Sequence, residues 1–313
     1  MDEDVTIGGR VSVRDVLFDA ERRLAAVGVP SPSVDAAEIV ASAVGTTRSR
    51  LFLQDPLTDE QKVAVEKMLV RRLARVPLQH LLGSAGFRRI EVAVGPGVFI
   101  PRPETELVTE AGIRELLERP SGGRIGVDLC SGSGAIAICL GVEVPGSRIH
   151  AVELSDDAVP WTAANIADHE PALIAAGSRV ELVHHDATTV ADAGAPLARL
   201  AGQVAVIVTN PPYIPALMVP RDPEVRDHEP AMALYGGDDG LDTVRGILRT
   251  AALLLRPGGL IVIEHADIQG VAGGEHGVPG VVESFTADSD VAAATGLDPG
   301  ARVFRDVVDR VDL

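Results

Sequence analysis

The chain is poor in cysteine, in long apolar runs and, over most of its length, in positive charge. Its two cysteines, Cys130 and Cys139, fall close together, and no Cys/His spacing of a metal site accompanies them, so they read as reduced and structural. The adjacent His184 and His185 form a lone pair at a strand end, a pattern that more often packs or faces solvent than binds metal. No stretch reaches the roughly 18 apolar residues that span a bilayer. The start, Met1-Asp2-Glu3-Asp4, is acidic where a secretory signal is basic and then apolar, so a cytoplasmic protein is expected. Residues 1–85 carry 11 Lys/Arg against 12 Asp/Glu and the remainder 17 against 33, within a net charge of −17. So acidic a field repels phosphate backbones and argues against tight general binding to nucleic acid. Arg71, Arg72 and Arg75 make a small basic cluster, read either as a solvated helix face or as a surface for an acidic partner.

With 313 residues, 46% of them apolar, there is material for two domains with real cores. The first part reads as helices. Ser12 caps a run with Val13, Val16, Leu17, Ala20, Leu24 and Val27 at helical spacing, closed by Gly28. A second run opens at Ser33 and stops at Gly45, and Thr58-x-x-Gln61 is a capping box for a third, closed by Pro77. Alternation at Ile90, Val92 and Val94, then Gly95-Pro96-Gly97 and Val98-Phe99-Ile100, predicts a hairpin. From residue 124 strands alternate with helical segments: Ile125–Leu129, Arg148–Val152, Arg179–Val183, Val204–Thr209 and Leu260–Glu264. That succession predicts a mostly parallel sheet covered on both faces, with ligands at the carboxyl ends of its strands. Gly270 to Gly280 reads as a flexible, Gly-rich loop.

Asp128-Leu129-Cys130-Ser131-Gly132-Ser133-Gly134 ends the first of these strands and opens a helix, a place where glycines let a ligand approach backbone N–H groups. Gly132-x-Gly134-x-x-Ala137 also satisfies the dinucleotide fingerprint, which keeps NAD(P) in view. Glu153, nineteen residues after Gly134 at the end of the second strand, can accept from both ribose hydroxyls of an adenosine, and Asp186 ends the third strand where an adenine amino group could bind. The fourth strand separates the readings. Asn210-Pro211-Pro212-Tyr213 supplies neutral acceptors and an aromatic face, suited to holding an NH2 group, and not the acid or base that hydride chemistry needs. Methyl transfer from S-adenosylmethionine to a planar amine or amide fits.

These residues, with Pro77-Leu78-Gln79-His80-Leu81-Leu82-Gly83, Phe99-Ile100-Pro101-Arg102-Pro103-Glu104-Thr105-Glu106, Glu229-Pro230, Ala233-Leu234 and Gly236-Gly237-x-x-Gly240-Leu241, resemble the release-factor glutamine N5-methyltransferases, the PrmC/HemK family of class I methyltransferases, over most of the chain. The resemblance implies a small helical bundle over 1–85 that recognises the substrate protein, a β-hairpin linker over 86–101, and a methyltransferase domain over 102–313. That domain would hold a Rossmann-like, mostly parallel seven-stranded α/β sheet with its last strand antiparallel. It implies that Asp128, Cys130, Ser131, Gly132, Ser133, Gly134, Glu153, Leu154, Asp186, Ala187 and Asn210 bind the cofactor, closed over by Phe99, Pro101, Arg102, Glu104 and Thr105. Asn210, Pro211, Pro212 and Tyr213 would carry the chemistry on the glutamine of a Gly-Gly-Gln motif. The implied partner is a peptide release factor, met by a monomer without metal, stable nucleic acid or membrane. Three positions depart from the family pattern: Cys130 where glycine is usual, Glu153 for the commoner Asp, and Ala187 where a larger side chain can stack on adenine. Residues 214–240, a long connection with little helical signal, are expected to form a lid that shapes the substrate site. The alternative acceptor is an adenine N6 or cytosine N4 amino group, which would call for base flipping and a positive groove. A scaffold without activity is the third reading.

Overall fold

The computed structural model describes residues 12–54, 56–270, 274 and 276–309. In chain order the elements are helices α1 (Val13–Ala26), α2 (Pro32–Val44), α3 (Asp59–Leu73) and α4 (Leu78–Leu82), strands β1 (Ser84–Phe87) and β2 (Ile90–Ala93), and α5 (Thr105–Leu117). Then come β3 (Ile125–Leu129), α6 (Ala135–Glu143), β4 (Arg148–Glu153), α7 (Val159–Asp168), α8 (Glu170–Ala175), β5 (Arg179–His184) and β6 (Val204–Thr209). The chain continues through α9 (Pro223–His228), α10 (Ala231–Leu234), α11 (Asp242–Leu254), β7 (Leu255–Ile263), α12 (Val278–Ser284) and α13 (Ser289–Thr295).

Two compact units result. The first takes the chain up to Gly83 together with Pro220–His228. Helices α1 and α3 begin where side chains satisfy free first-turn N–H groups: Ser12 Oγ accepts from Asp15 N at 3.2 Å, and both arms of the Thr58–Gln61 box are made. Their apolar stripes meet around Leu24, Ile39, Val40, Leu51 and Leu69, all essentially buried. The basic cluster expected here is not one. Arg72 is 5% exposed, its Nε 2.6 Å from Asp35 and its Nη1 2.8 Å from Glu224, and Arg75 binds the same Glu224 carboxylate at 2.6 Å. Only Arg71 of the three is solvent-facing.

The second unit holds Ser84–Val219 and the chain from Glu229 on. Its sheet has the order β5-β4-β3-β6-β7, every pair parallel. β3 and β6 are buried along their whole length, as their unbroken apolar runs require when helices cover both faces. One face packs on α5, α6 and α7, the other on α11 and α13. Strand order reverses at β3, so the loops after β3 and β6 leave side by side and open a crevice beyond the strand ends.

Three expectations are corrected. The sheet has five strands among the described residues, not seven. Beyond β7 the antiparallel relation shrinks to a single bridge, Thr286 with Arg302, because Asp288 caps α13 through Asp290 N and Val291 N and turns the chain into a helix where a strand would run. The hairpin forms earlier than the alternation suggested: Ser84–Phe87 pairs with Ile90–Ala93, and Val98–Ile100 is irregular though buried. Its turn residue Arg88, at φ 50°, bonds Glu106, Glu110 and Glu143, which pins the hairpin to α5 and α6. Residues 214–240 also carry more helix than expected, α9 and α10. Of the Gly-rich loop, residues 271–273 and 275 lie outside the described residues, as does the acidic start of the chain.

Candidate functional site

The turn after β3 is held by hydrogen bonds within the protein. Asp128, fully buried, receives Ser131 Oγ at 2.6 Å and the α6 N–H of Ala137 at 3.1 Å on one oxygen, so it caps the helix. Its other oxygen, Oδ1, has no hydrogen-bond partner in the protein. Burial lifts its carboxyl to a pKa of about 7 against the pull of those two bonds. Gly132 and Gly134 take positive φ, 56° and 84°, and Cys130 does so at 61°. The turn's carbonyls are satisfied from α7: Thr162 Oγ1 donates to Gly132 O at 2.6 Å, and Asn165 Nδ2 to Ser133 O at 2.9 Å.

Glu153, at the end of β4, reaches back with Oε2 to accept from Gly132 N at 2.7 Å, while Oε1 accepts from Leu154 N at 2.9 Å and Ser155 N at 2.7 Å. Its glutamate length spans that distance. Asp186 spends Oδ1 on the N–H and hydroxyl of Thr188, at 2.8 and 2.7 Å.

The fourth strand end delivers Asn210. Thr209 Oγ1 donates to Leu129 O at 2.7 Å, tying β6 to β3 at the mouth of the crevice, and Asn210 Nδ2 donates to Thr105 Oγ1 at 3.1 Å. The backbone after Pro212 is clasped by the returning chain: Ile214 N donates to Leu234 O at 2.8 Å, and Gly236 N to Ile214 O at 3.0 Å. A side chain on Gly236 would run into the Pro212 and Gly240 carbonyl oxygens, and one on Gly240, at φ 81°, into the Tyr213 carbonyl. These glycines therefore let two backbones touch. Burial, with Glu264 nearby, pushes the Tyr213 phenol up to about 12.

One cavity of about 310 Å³ joins these parts. Of the residues expected to bind the cofactor, Phe99, Pro101, Thr105, Cys130, Ser131, Gly132, Ser133, Glu153, Leu154, Asp186, Ala187 and Asn210 line it, and so does Pro212. Arg102, Glu104, Asp128, Gly134, Pro211 and Tyr213 do not. Arg102 instead pairs with the buried Glu229 and lies 4.9 Å over the Phe99 ring, tying the Phe99–Thr105 segment to the stretch that begins at Glu229. That stretch adds Pro230, Met232, Ala233 and Tyr235 to the wall. Pro230 and Ala233 stand within the motifs that carried the resemblance, and no signal marked Met232 and Tyr235.

Two walls of different chemistry follow. At the β3 and β4 ends, glycine backbone and the Glu153 carboxylate suit a ribose with a polar tail, and Asp128, buried behind the turn, holds its shape. At the β6 end stand Asn210 and apolar or aromatic groups. The set fits S-adenosylmethionine as methyl donor. Among the described residues no three His, Cys, Asp or Glu side chains gather into a metal cluster, and no helix is long and apolar enough to cross a membrane.

Comparison with known proteins agrees with this arrangement. A family model described as the PrmC N-terminal domain matches residues 15–83. The release factor glutamine methyltransferase of Streptomyces coelicolor is 48% identical over 252 residues, 80% of this chain and 84% of that protein. Those of Bifidobacterium longum and Mycolicibacterium smegmatis are 39% and 40% identical, covering 91% and 90% of this chain and 95% and 92% of theirs. With the cavity, the Asn210 turn and these relatives taken together, the chain belongs to the release factor glutamine methyltransferase family.

Proposed function

We propose that this protein transfers a methyl group from S-adenosylmethionine to the side-chain amide nitrogen of the glutamine in the Gly-Gly-Gln motif of a peptide release factor. One observation carries the reading: Asn210 and Pro212 line the same cavity as Ser131, Gly132, Glu153 and Asp186, so an NH2-holding turn and an adenosine-type site share one space. The bound donor supplies an electrophilic methyl on a sulfonium.

The chain's own residues do the positioning. A glutamine amide nitrogen is a poor nucleophile, because its lone pair is delocalised into the carbonyl, and no ordinary side-chain base removes its proton beforehand. With its pKa at about 12, Tyr213 stays a phenol at neutral pH and is not that base. Asn210 Oδ1 and the Pro211 carbonyl accept the two amide N–H bonds, aim the nitrogen, and favour its developing sp3 character. Pro211 and Pro212, with fixed φ and no N–H, keep the turn stiff. Tyr235 and Met232 form the apolar wall at that end, and Tyr213, outside the cavity lining, would turn towards the amide plane when the glutamine binds. The proton leaves after transfer.

Glu153 holds the ribose hydroxyls, and Asp186 with Ala187 the adenine. Asp128, with its unpartnered oxygen, and Gly134 hold the turn that meets the methionine part, while Arg102 and Glu104 belong to the segment closing over it. Residues 1–85 recognise the release factor, 86–101 link, and 102–313 carry the transfer. On this reading the protein is a cytoplasmic monomer with no stable nucleic-acid or membrane partner. Mass spectrometry of a release factor's Gly-Gly-Gln peptide after incubation with enzyme and S-adenosylmethionine should show one added methyl on the glutamine. Methyl transfer to DNA or RNA, with none to the factor, would reverse the assignment.

A further inference from the structure

Asn210 ends in a carboxamide, and a carboxamide has two faces of opposite use. One end donates and the other accepts, and a half-turn about the last bond exchanges them at almost no steric cost. An incoming NH2 group finds an acceptor only when Oδ1 faces it. With Nδ2 in that place two donors would confront each other, and the nitrogen would be pushed off line.

Thr105 is placed to set this choice. It is the first residue of α5, 3% exposed, and its Oγ1 receives the Asn210 Nδ2 hydrogen at 3.1 Å. Its backbone is held as well: Thr105 N donates to Arg102 O at 3.2 Å, and its carbonyl accepts Thr109 Oγ1 at 2.9 Å. Both Thr105 and Asn210 reach the cavity wall.

We infer that Thr105 is the positioning residue that orients the Asn210 amide, drawing Nδ2 towards α5 so that Oδ1 is presented to the substrate nitrogen. The inference rests on Asn210 accepting the glutamine N–H as proposed above. A threonine hydroxyl can also donate to the oxygen of a reversed amide, but the reversal sets Nδ2 against the incoming NH2. With substrate present, only one orientation satisfies both ends. Without the hydroxyl the amide loses its hydrogen bond to α5.

The test compares Thr105→Val, close in shape but without the hydroxyl, with Thr105→Ser, which keeps it. Single-turnover methyl transfer to a release factor is measured beside the affinity for S-adenosylhomocysteine. At saturating S-adenosylmethionine T105V should lower the rate at least about tenfold, the equivalent of one lost hydrogen bond and more than any change in cofactor affinity accounts for; T105S should recover most of the rate. In an N210A background T105V should cost nothing further, because the group it orients is gone. An unchanged rate in T105V, a loss explained by cofactor affinity, or the same fractional loss in the N210A background would each overturn the inference. A near-parental rate in N210A alone would instead sink the reading of Asn210 on which it rests. If T105V proves unfolded by circular dichroism, T105A takes its place with the same readouts.

Discussion

The side-chain Nε2 of Gln269 lies 2.8 Å from the carbonyl oxygen of Tyr213 and 3.2 Å from that of Asp239. Gln269 is 5% exposed and comes after the last strand, so a residue far along the chain secures the turn that carries Asn210. Together with the Ile214 and Gly236 backbone bonds it makes the acceptor turn a closed piece of structure. These contacts add to the stiffness that Pro211 and Pro212 give the turn.

Gly236→Ala should show this directly. The new methyl would meet two backbone carbonyls that have no soft route out of its way. We expect a loss of about 1–3 kcal/mol in stability, the range for overpacking. Transfer should fall more steeply than cofactor affinity, as read by urea unfolding and single-turnover rates. An alanine variant with parental rate and stability would show that the contact is not rigid.

Asn210→Ala should reduce single-turnover methyl transfer by about a hundredfold or more, the scale seen when one aligned polar contact is removed from a transition state. The fold should persist, because the hydrogen bond that the side chain makes to Thr105 lies at the cavity wall. Thermal melts and transfer rates on the same preparation check both halves.

Arg72→Ala should destabilise the helical unit by about 3–5 kcal/mol, since it strands the buried Asp35 carboxylate without its cation. Arg71→Ala, on the solvent side, should change stability by less than about 1 kcal/mol. Glu224 gives the same cluster a pH signature. Burial raises its pKa, but the bonds from Arg75 and Arg72 outweigh that and hold it at about 2. Its folded value lies below the ordinary 4.5, so the stability it contributes is present above pH 4.5 and is lost as the pH falls towards 2. Glu224→Gln should thus be less stable than the parent at pH 7, with the gap closing between pH 4.5 and 2. A gap that does not move with pH would contradict the pairing.

Asp128 should behave in the opposite sense. Its folded pKa of about 7 lies above its ordinary 3.8, so its contribution is full below pH 3.8 and is lost as the pH rises to 7. Asp128→Asn, which cannot titrate, should gain stability relative to the parent over that interval. Parallel unfolding curves at pH 4 and 7 that give one constant difference would rule this out.

Much of the site was legible before the fold. Apolar runs ending in Asp128, Glu153, Asp186 and Asn210 announce parallel strands, and the residues at such ends share one edge of a sheet, so proximity followed from topology. The caps at Ser12 and Thr58 are local chemistry and were readable as such. What escaped depends on partners distant in sequence. Arg72 and Arg75 read as surface charge because Glu224 lies 149 residues beyond Arg75. Arg88 holds a left-handed turn only because three glutamates from α5 and α6 converge on it, which moved the hairpin from its expected place. Tyr235 and Met232 line the cavity because the chain folds back on Ile214, and the last two strands of the expected seven give way to the helix that Asp288 starts.

The close contact of Gly236 and Gly240 with the acceptor turn also sets how this enzyme can be altered. A larger residue at either position meets backbone whatever the acceptor, so their identity reports on backbone fit and carries no information about substrate choice. Diversity aimed at a different amide or amine belongs at Met232, Ala233 and Tyr235, which face the same cavity from a segment whose anchors can be left untouched.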